Sequence, residues 1–434
     1  MNLFSHSLRL SGFKIASAKG ELDRLNALST GERQNLFTEK KWEIAQFHFK
    51  NNPFYQKLLG GKLPKNWENL PILTKKELQN PINQRFSEGY SAKSSYIGKT
   101  SGSSGQPFTF AKDNWCHALS WASFYHHYAE HGIDLDTDLQ ARFYGIPHRG
   151  FLRYKEQLKD FLSARYRFPI FDLSPTKMDG FLEQFAKKPF VYINGYTSSI
   201  LLFAKHLAEK QIFLSEICPT LKNCITTSEM LFENDRKTIE NALDVPVINE
   251  YGASETGLIA FENGKNELVI DQNLLFVEIL DEQGRVMPNG EKGRITITAL
   301  YNRANPFIRY DIGDLGSMKP TENGNGLQIK ELGGRISDTA KLPSGKTVPG
   351  LAFYYVTKSV LDKTGNVSEF TVVQNALDTF TINYVSRRDL NSQELQKLKI
   401  AITDYLEPGL TLTINRVKHL DRSKNGKLRQ FKGL

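Results

Sequence analysis

A glycine- and hydroxyl-rich stretch, GKTSGSSGQP, occupies residues 98–107 and has the residue types that bind phosphate. Glycines let several backbone N–H groups converge on an anion, and hydroxyl groups add further donors. The stretch is not a Walker A loop, because Lys93 stands where the first glycine is required. It is also one residue short of a nucleophile elbow. The composition therefore predicts a phosphate-binding loop, with a flexible exposed loop as the alternative.

Four later segments add charged groups in a fixed order: NEYGASETG at 249–257, NPFIRYDIGD at 305–314, GGRISD at 333–338 and SKNGKLR at 423–429. Their charged residues include the carboxylates Glu255 and Asp314 and the cations Arg335 and Lys427. Carboxylates suit a hard divalent cation or a pair of hydroxyl groups, whereas cations suit a phosphoryl group. Each residue taken alone also fits an exposed loop, a turn or a basic tail, so the prediction depends on the ordered series.

This series resembles the adenylate-forming superfamily of acyl-CoA synthetases, adenylation domains and luciferases. The patterns TSGSSGxP, EYGxSE, PFIRYxxGD, GR and NGKxR match in order and cover nearly the whole chain. NPFY at 52–55 and LPILTK at 70–75 are similar to the phenylacetate-CoA ligase branch, which includes CapK-like members linked to capsule biosynthesis. The resemblance implies an α/β fold. Its large N-terminal domain would have mixed sheets, flanking helices and a β-rich subregion, and a small mobile α+β C-terminal domain would follow.

The resemblance also implies ATP, Mg²⁺ and coenzyme A as cofactors. The glycine-rich loop would wrap the β- and γ-phosphates of ATP, and Glu255 would be the metal ligand. Tyr251 would pack on the adenine and Asp314 would accept hydrogen bonds from both ribose hydroxyls, with a core tyrosine and a turn aspartate as the alternatives. The implied cofactor-binding residues are Thr100, Ser101, Gly102, Ser103, Ser104, Gly105, Ser228, Glu229, Tyr251, Gly252, Ser254 and Asp314.

Lys427, Glu255 and Arg335 are the catalytic residues that the resemblance implies. Lys427 would bridge the attacking carboxylate and the α-phosphate, offsetting charge in the transition state, and Arg335 would assist at the ribose or phosphate. An acyl-adenylate and pyrophosphate would form, and the small domain would then rotate to admit the thiol of coenzyme A. Ser337 stands where the family has its hinge aspartate, and Phe108 where the loop often has a lysine.

A small carboxylic acid would bind near the ends of the central strands. The residues predicted to line that pocket are Tyr144, Gly145, Gly195, Tyr196 and Ala253. Aromatic lining suits an aryl or arylacetic acid, although aromatic residues also simply fill cores.

Charge and cysteine content exclude several other classes of protein. The chain of 434 residues has 56 basic and 47 acidic residues, with a basic excess near its C-terminus. No zinc finger, aromatic RNA-binding motif or heptad repeat accompanies that charge, so we expect no nucleic-acid partner. Three cysteines without a CxxC pair predict a reducing, cytoplasmic setting and no structural zinc. We expect no signal peptide and no transmembrane segment, and a homodimer remains open.

Strand-like and helical segments alternate through the middle of the chain, which predicts a largely parallel sheet. The predicted strands are 140–146, 190–194, 223–227 and 245–249, and the predicted helices are 113–131, 197–210 and 231–243. Residues 274–280 and 285–287 are predicted to form a hairpin in the β-rich subregion. Helices at 351–363 and 392–406 and a strand at 410–418 are predicted near the end. We therefore divide the chain into domains of residues 1–334 and 335–434.

Three functions are consistent with these residues. The first is an acid–CoA ligase that forms AMP. The second keeps the adenylation step but transfers the acyl group to an amine or a carrier protein in a biosynthetic pathway. The third is a nucleotide-binding protein without catalysis, which Glu255, Asp314 and Lys427 argue against.

Overall fold

The computed structural model describes residues 3–100, 108–144, 151–170, 173–335, 339–345, 347–349, 366–422 and 428–434. The helices are α1 Leu3–Leu10, α2 Ile15–Asn26, α3 Thr30–Asn51, α4 Pro53–Leu58, α5 Asn114–Glu130, α6 Phe151–Leu162, α7 Pro175–Lys187, α8 Thr197–Glu209, α9 Leu214–Ile217, α10 Glu233–Leu243 and α11 Ser392–Tyr405, with short 3₁₀ helices at Trp67–Asn69, Glu77–Gln79 and Ile82–Gln84.

The strands are β1 Ser95–Lys99, β2 Thr109–Asp113, β3 Leu139–Phe143, β4 Arg165–Phe168, β5 Phe190–Tyr196, β6 Asn223–Thr227, β7 Val247–Ala253, β8 Gly257–Glu262, β9 Leu268–Ile270, β10 Leu275–Leu280, β11 Gly293–Ala299, β12 Tyr310–Pro320, β13 Leu327–Arg335, β14 Thr339–Lys341, β15 Thr347–Pro349, β16 Val367–Ala376, β17 Thr379–Ser386, β18 Thr411–Arg416 and β19 Phe431–Lys432. Two compact units contain these elements. One comprises Met1–Ile312 and Gly316–Glu331, and the other comprises Gly313–Leu315 and Leu332–Leu434.

An 11-stranded sheet, in the order β10-β11-β12-β13-β9-β8-β7-β6-β5-β3-β4, is the largest sheet among the described strands. Its β4-β3-β5-β6-β7 half is parallel. From β7 the pairing becomes antiparallel, through β8 and β9 to β13. The sheet is therefore mixed, and its parallel half corresponds to the predicted strand–helix alternation.

Helices cover both faces of the parallel half. On one face α7, α8 and α10 bury an aromatic and aliphatic cluster that includes Phe143, Phe181 and Phe203, each contributing roughly 1.5–3 kcal/mol by leaving water. On the opposite face lies α5, whose Tyr128 donates a hydrogen bond to Glu250 of β7 at 2.7 Å. α5 begins where predicted, because the Asp113 side chain accepts hydrogen bonds from two backbone N–H groups of its first turn.

The second unit has its own sheet, ordered β18-β17-β16-β19, and the helix α11. Side chains of β16, β17 and α11, among them Phe380, Ile382, Leu398 and Ile402, are completely buried or nearly so. They form the apolar interior of this small α+β unit. Its helix α11 and its strand β18 agree with the predictions at 392–406 and 410–418, and the later strand β19 was not predicted.

The predicted hairpin is present with a short second arm, and one predicted helix lies outside the described residues. β10 pairs with β11 on one side. On its other side Leu280 forms an antiparallel bridge with Val286, and backbone hydrogen bonds join Asp281 to Arg285 and Met287 to Ile279. Asp281 accepts hydrogen bonds from the backbone and side chain of Arg285, which holds the segment in a turn. The helix predicted at 351–363 lies outside the described residues. No helix in the described part of the chain has the length and apolar content needed to cross a membrane.

The N-terminus of α11 provides a pH-dependent test of the small unit. Glu394 accepts hydrogen bonds from Arg388 and from the backbone of Asn391, which together lower the pKa of Glu394 to about 2. Its stabilisation is therefore present above the ordinary carboxyl pKa and is lost as the pH falls toward 2. We expect Glu394→Gln to destabilise α11 by about 1 kcal/mol at pH 7 and to have no effect near pH 2.

The measurement is hydrogen exchange of α11 amides in both proteins at matched pH. Asp389→Asn is the control, because it removes an exposed carboxylate from the same unit. Equal losses of protection at pH 7 and pH 2 would contradict the assigned role of Glu394.

Candidate active site

The carboxyl ends of β3, β5, β6 and β7 lie at one edge of the sheet, because these strands are mutually parallel. From β3 the chain passes outward to β4 and then returns across β3 to form β5. Connections therefore leave neighbouring strands in opposite directions and open a crevice at the ends of β3 and β5. Ligands of α/β sheets bind at such switch points, and several of the predicted site residues lie here.

Gly195 allows β3 and β5 to approach closely at this crevice. A Cβ atom on Gly195 would lie 2.4 Å from the Cβ of Phe143 and 2.6 Å from its carbonyl oxygen. Just beyond that contact, the rings of Tyr144 and Tyr196 have centroids 4.6 Å apart. Burial raises the pKa of Tyr196 to about 12 and the pKa of Tyr144 further. Both phenols are therefore neutral hydrogen-bonding groups at pH 7.

The segment after β6 combines backbone strain with a helix cap. Ser228 has a φ of +68°, a left-handed conformation that non-glycine residues adopt rarely. The next residue, Glu229, accepts a hydrogen bond of 2.8 Å from the backbone N–H of Ser198 in the first turn of α8. Ser228 is exposed at the edge, whereas the Glu229 carboxylate is bound at a helix N-terminus.

Tyr251 and Gly252 lie near the end of β7, and Ser254 and Glu255 lie in the turn between β7 and β8. Tyr251 is half-buried and Gly252 and Ser254 are exposed, but Glu255 is buried. Glu255 accepts a hydrogen bond of 2.9 Å from the hydroxyl of Tyr310, its sole donor among the residues that the structure describes.

Lys112 is a second buried charge associated with this turn. Only 4% of its surface is exposed, and burial lowers the pKa of the ammonium group, an effect that the charge of Glu255 opposes. Together Lys112, Glu255 and Tyr310 form a polar cluster beneath the turn.

The base of the glycine-rich loop is fixed by backbone and side-chain hydrogen bonds. β1 and β2 form an antiparallel hairpin, and Thr100 exchanges hydrogen bonds with the backbone of Phe108 across its end. Asn305 supports β2 from below, since its Oδ1 accepts hydrogen bonds from Ala111 and from the buried Arg85. Ser101, Gly102, Ser103, Ser104 and Gly105 lie outside the described residues.

The remaining predicted residues lie elsewhere in the chain. Asp314 is half-buried in β12 beside Gly313, in the segment that belongs to the second compact unit. Arg335 ends β13 in the same unit. Gly145, Ser337 and Lys427 lie outside the described residues.

Arg309, the arginine of the PFIRY segment, has a structural position. It is 1% exposed with a φ of +46°. Its guanidinium donates to the carbonyl oxygens of Glu68, Leu70 and Gly284 and to the carboxylate of Glu278. The guanidinium therefore joins three chain segments. These contacts explain why Arg309 is buried in an otherwise apolar segment, and no ligand is needed to explain its position.

A cavity of about 600 Å³ lies between α5 and the parallel sheet. Tyr144 lines the cavity and Tyr196 contacts Tyr144, whereas Gly195 and Ala253 are not among the lining residues. Sequence reasoning missed the polar residues of this cavity, which include Arg142, Arg165, Arg167 and Glu250. The signal was available, because strands of a covered parallel sheet are normally apolar and RYRF in β4 alternates two arginines with two aromatic residues.

Comparison with known proteins gives consistent results. No family model matches the chain. It is 24% identical over 391 residues to Protein CapK of Staphylococcus aureus, covering 85% of this chain and 82% of that protein. The structure is similar to 2-hydroxyisobutyryl-CoA ligase in its postadenylation state, with a TM-score of 0.70, 16% identity and coverage of 94% of this chain and 90% of that one. The chain has the fold of the adenylate-forming ligases.

A second structure extends this likeness to another acyl acceptor. The amide bond synthetase McbA of Marinactinospora thermotolerans has a TM-score of 0.54 and 14% identity, covering 78% of this chain and 69% of that one. The fold predicted by the resemblance is therefore confirmed, and the adenylate-forming fold includes enzymes with different acceptors. The phenylacetate-CoA ligase branch remains a prediction.

The contact at Gly195 gives a direct test of the crevice. We expect Gly195→Ala to destabilise the first unit by about 1–3 kcal/mol, because the added methyl group overlaps Phe143. Urea unfolding followed by tryptophan fluorescence measures this change, since all four tryptophans precede residue 122. Gly264→Ala is the control, because a Cβ atom added at Gly264 has no neighbour within 4 Å among the described residues. Equal stability of both variants would show that β3 and β5 do not require close approach.

Proposed function

We propose that the protein activates a carboxylic acid with ATP, forming an acyl-adenylate and pyrophosphate, and then transfers the acyl group to coenzyme A. The supporting observation is the convergence of Tyr144, Tyr196, Ser228 and Tyr251 at one switch-point edge above a buried cavity. That edge belongs to a fold shared with a ligase whose structure contains an acyl-adenylate. Acid activation needs a nucleotide site at the edge and an acyl site beside it. In this proposal the nucleotide binds in the crevice and the acyl group in the cavity.

In this proposal the nucleotide binds across the carboxyl ends of the strands. Residues Thr100 to Gly105 hold the β- and γ-phosphates through backbone and hydroxyl donors. Tyr251 packs on the adenine, while Gly252, Ser254, Ser228 and Glu229 border it. Asp314 accepts hydrogen bonds from the ribose hydroxyls, and Arg335 assists at the ribose or phosphate. The strained backbone at Ser228 supports a ligand-contacting role, since such strain concentrates at functional sites.

The donor set around Glu255 fits Mg²⁺. The buried carboxylate has one described hydrogen-bond donor, Tyr310, which leaves lone pairs for a hard cation that prefers oxygen ligands. When bound, Mg²⁺ would neutralise charge on the phosphates. Tyr310 would hold the carboxylate in one orientation.

Lys427 is the catalytic residue in this proposal. Two anions must approach for the substrate carboxylate to attack the α-phosphate, and a lysine contacting both reduces their repulsion in the transition state. The carboxylate oxygen forms a bond to the α-phosphorus, and the bond from that phosphorus to the bridging oxygen of pyrophosphate breaks. In the second half-reaction, the thiol of coenzyme A replaces AMP at the acyl carbon and loses its proton.

The acyl group in this proposal is aromatic, as in the phenylacetate-CoA ligase branch. Rings from α5, together with Tyr144 of the β3 end, line the cavity, and aromatic pairs favour stacking on a flat substrate. Transfer to an amine or a carrier protein is the second candidate, because an amide bond synthetase shares the fold.

ATP–pyrophosphate exchange with a panel of carboxylic acids tests the proposed adenylation. We expect acid-dependent exchange by the native protein, and a loss of about 10²–10³-fold in Lys427→Ala because one charge-stabilising contact is removed. The same variant should still convert a supplied acyl-adenylate to the thioester at a rate near the native one. Product formation with coenzyme A or an amine distinguishes the two acceptors.

Lys432→Ala is the matched control, because Lys432 is an exposed lysine of the same unit. Absence of exchange with every acid would leave a nucleotide-binding protein without catalysis. Equal loss of both half-reactions in Lys427→Ala would contradict the assigned role of that lysine.

A further inference from the structure

The cavity between α5 and the sheet is lined by arginine side chains as well as aromatic rings, and an uncharged aromatic acyl group would not need these arginines. Side chains of β3, β4 and β5 form its floor, including Arg142 and Arg165, and rings such as Trp121 and Tyr128 of α5 form its opposite wall. Gln140, Arg142 and Tyr144 alternate with apolar residues along β3, so all three lie on the cavity face. A charged group at this position is costly unless an opposite charge accompanies it.

Two of its guanidinium groups have no anionic partner among the residues that the structure describes. The Nε atoms of Arg142 and Arg165 are inaccessible to solvent and make no hydrogen bond there. Arg142 stacks over the ring of Tyr144, 4.1 Å from its centroid, and its Nη1 has only a 3.4 Å contact with Gln140. Arg165 lies 5.4 Å from the ring centroid of Phe4. Aromatic faces thus replace carboxylates around both groups.

Among the described residues, the acids beside the cavity are hydrogen-bonded to residues other than Arg142 and Arg165. Asp160 is bound by both arms of Arg167, at 2.7 and 2.8 Å. Glu250 accepts a hydrogen bond from Tyr128, and burial raises the pKa of its carboxyl group, an effect that the charge of Arg142 opposes. Burial and the charge of Arg142 lower the pKa of Arg165 to about 10, so Arg165 remains charged at pH 7. Neither guanidinium group therefore has a hydrogen-bonded carboxylate among the described residues.

We infer that the acyl substrate carries a second anionic group, bound inside the cavity by Arg165 together with Arg142. This inference rests on the proposed function and adds a substrate class to it, namely aromatic acids with a distal carboxylate, phosphate or sulfate. A guanidinium binds each of these oxyanions with two parallel hydrogen bonds. The neutral Tyr144 and Tyr196 remain at the crevice, beside the carboxylate that is activated.

The strand register sets the spacing of the two anionic ends. Arg165 pairs with Gln140 and Arg142 pairs with Arg167, so the cationic positions lie two and four residues from Tyr144 along β3. At about 3.3 Å per residue these positions are roughly 7–13 Å from the strand end. These are spacings along the backbone, and the Arg142 side chain returns to within 4.1 Å of the Tyr144 ring. A para substituent projects along the strand toward Arg165, whereas an ortho substituent stays beside Tyr144.

Pyrophosphate exchange with matched acids tests this inference. The panel compares 4-carboxyphenylacetate with its 4-phosphate and 4-sulfate analogues. The control acid is 4-(methoxycarbonyl)phenylacetate, called the ester below, which keeps the acetate carboxylate but has no second charge. We expect kcat/KM to be about 10²-fold higher for a dianionic acid than for the ester, because unpaired buried polar groups discriminate strongly. Arg165→Met should remove this preference mainly by raising KM for the dianionic acid, without lowering kcat/KM for the ester. Arg165→Lys should recover part of it.

Arg24→Met is the control, because Arg24 is an exposed arginine paired with Glu21 on α2. The three dianionic arms identify which oxyanion is preferred. The inference would be overturned if kcat/KM were equal for the ester and the dianionic acids in the native protein and remained equal in Arg165→Met. That result would leave the proposed function intact. If no acid supports exchange, the proposed function fails. In that case the measurement that decides the cavity assignment is thermal stabilisation of the protein by the dianionic acids. Stabilisation lost in Arg165→Met supports the assignment, and its absence in the native protein overturns it.

Discussion

The close approach of β3 and β5 at Gly195 is the contact on which the candidate site depends. With any side chain at this position, overlap with Phe143 would separate the two strands at the point where the sheet connections diverge. That divergence creates the crevice, and the paired rings of Tyr144 and Tyr196 border it. The buried aromatic cluster beneath the strands fixes their positions, so the geometry of the crevice is set by packing before any ligand binds.

Buried charges in the first unit divide into two groups with different physical roles. Arg309 with Glu278 and Arg236 with Glu262 are paired inside the protein and join distant segments. The desolvation of two buried charges offsets much of their attraction, so such an ion pair adds little stability. Its main effect is to specify which segments meet. Arg142 and Arg165 have no such partner among the described residues, and aromatic rings surround them instead. Their positive charge is therefore available to a ligand.

Sequence reasoning predicted the parallel half of the sheet and the capped helix α5, because alternating apolar segments and an N-terminal aspartate act locally. The turn at 281–285 was also predicted from its local sequence, whereas its hydrogen bond from Arg309 could not be, since Arg309 is remote in sequence. For the same reason the helix-capping role of Glu229 and the burial of Lys112 could not be read from their neighbours. The arginines of β3 and β4 were detectable as charges in otherwise apolar strands, but only the fold places them around one cavity.

The most direct test of the account is the fate of the substrate oxygen. An acid that supports pyrophosphate exchange is labelled with ¹⁸O in its carboxylate and converted to product in the presence of ATP and an acyl acceptor. Attack on the α-phosphate transfers one labelled oxygen to AMP when the acceptor displaces it, so the account predicts AMP with a single ¹⁸O atom by mass spectrometry. Label in orthophosphate together with ADP, or unlabelled AMP, would contradict adenylation at this site.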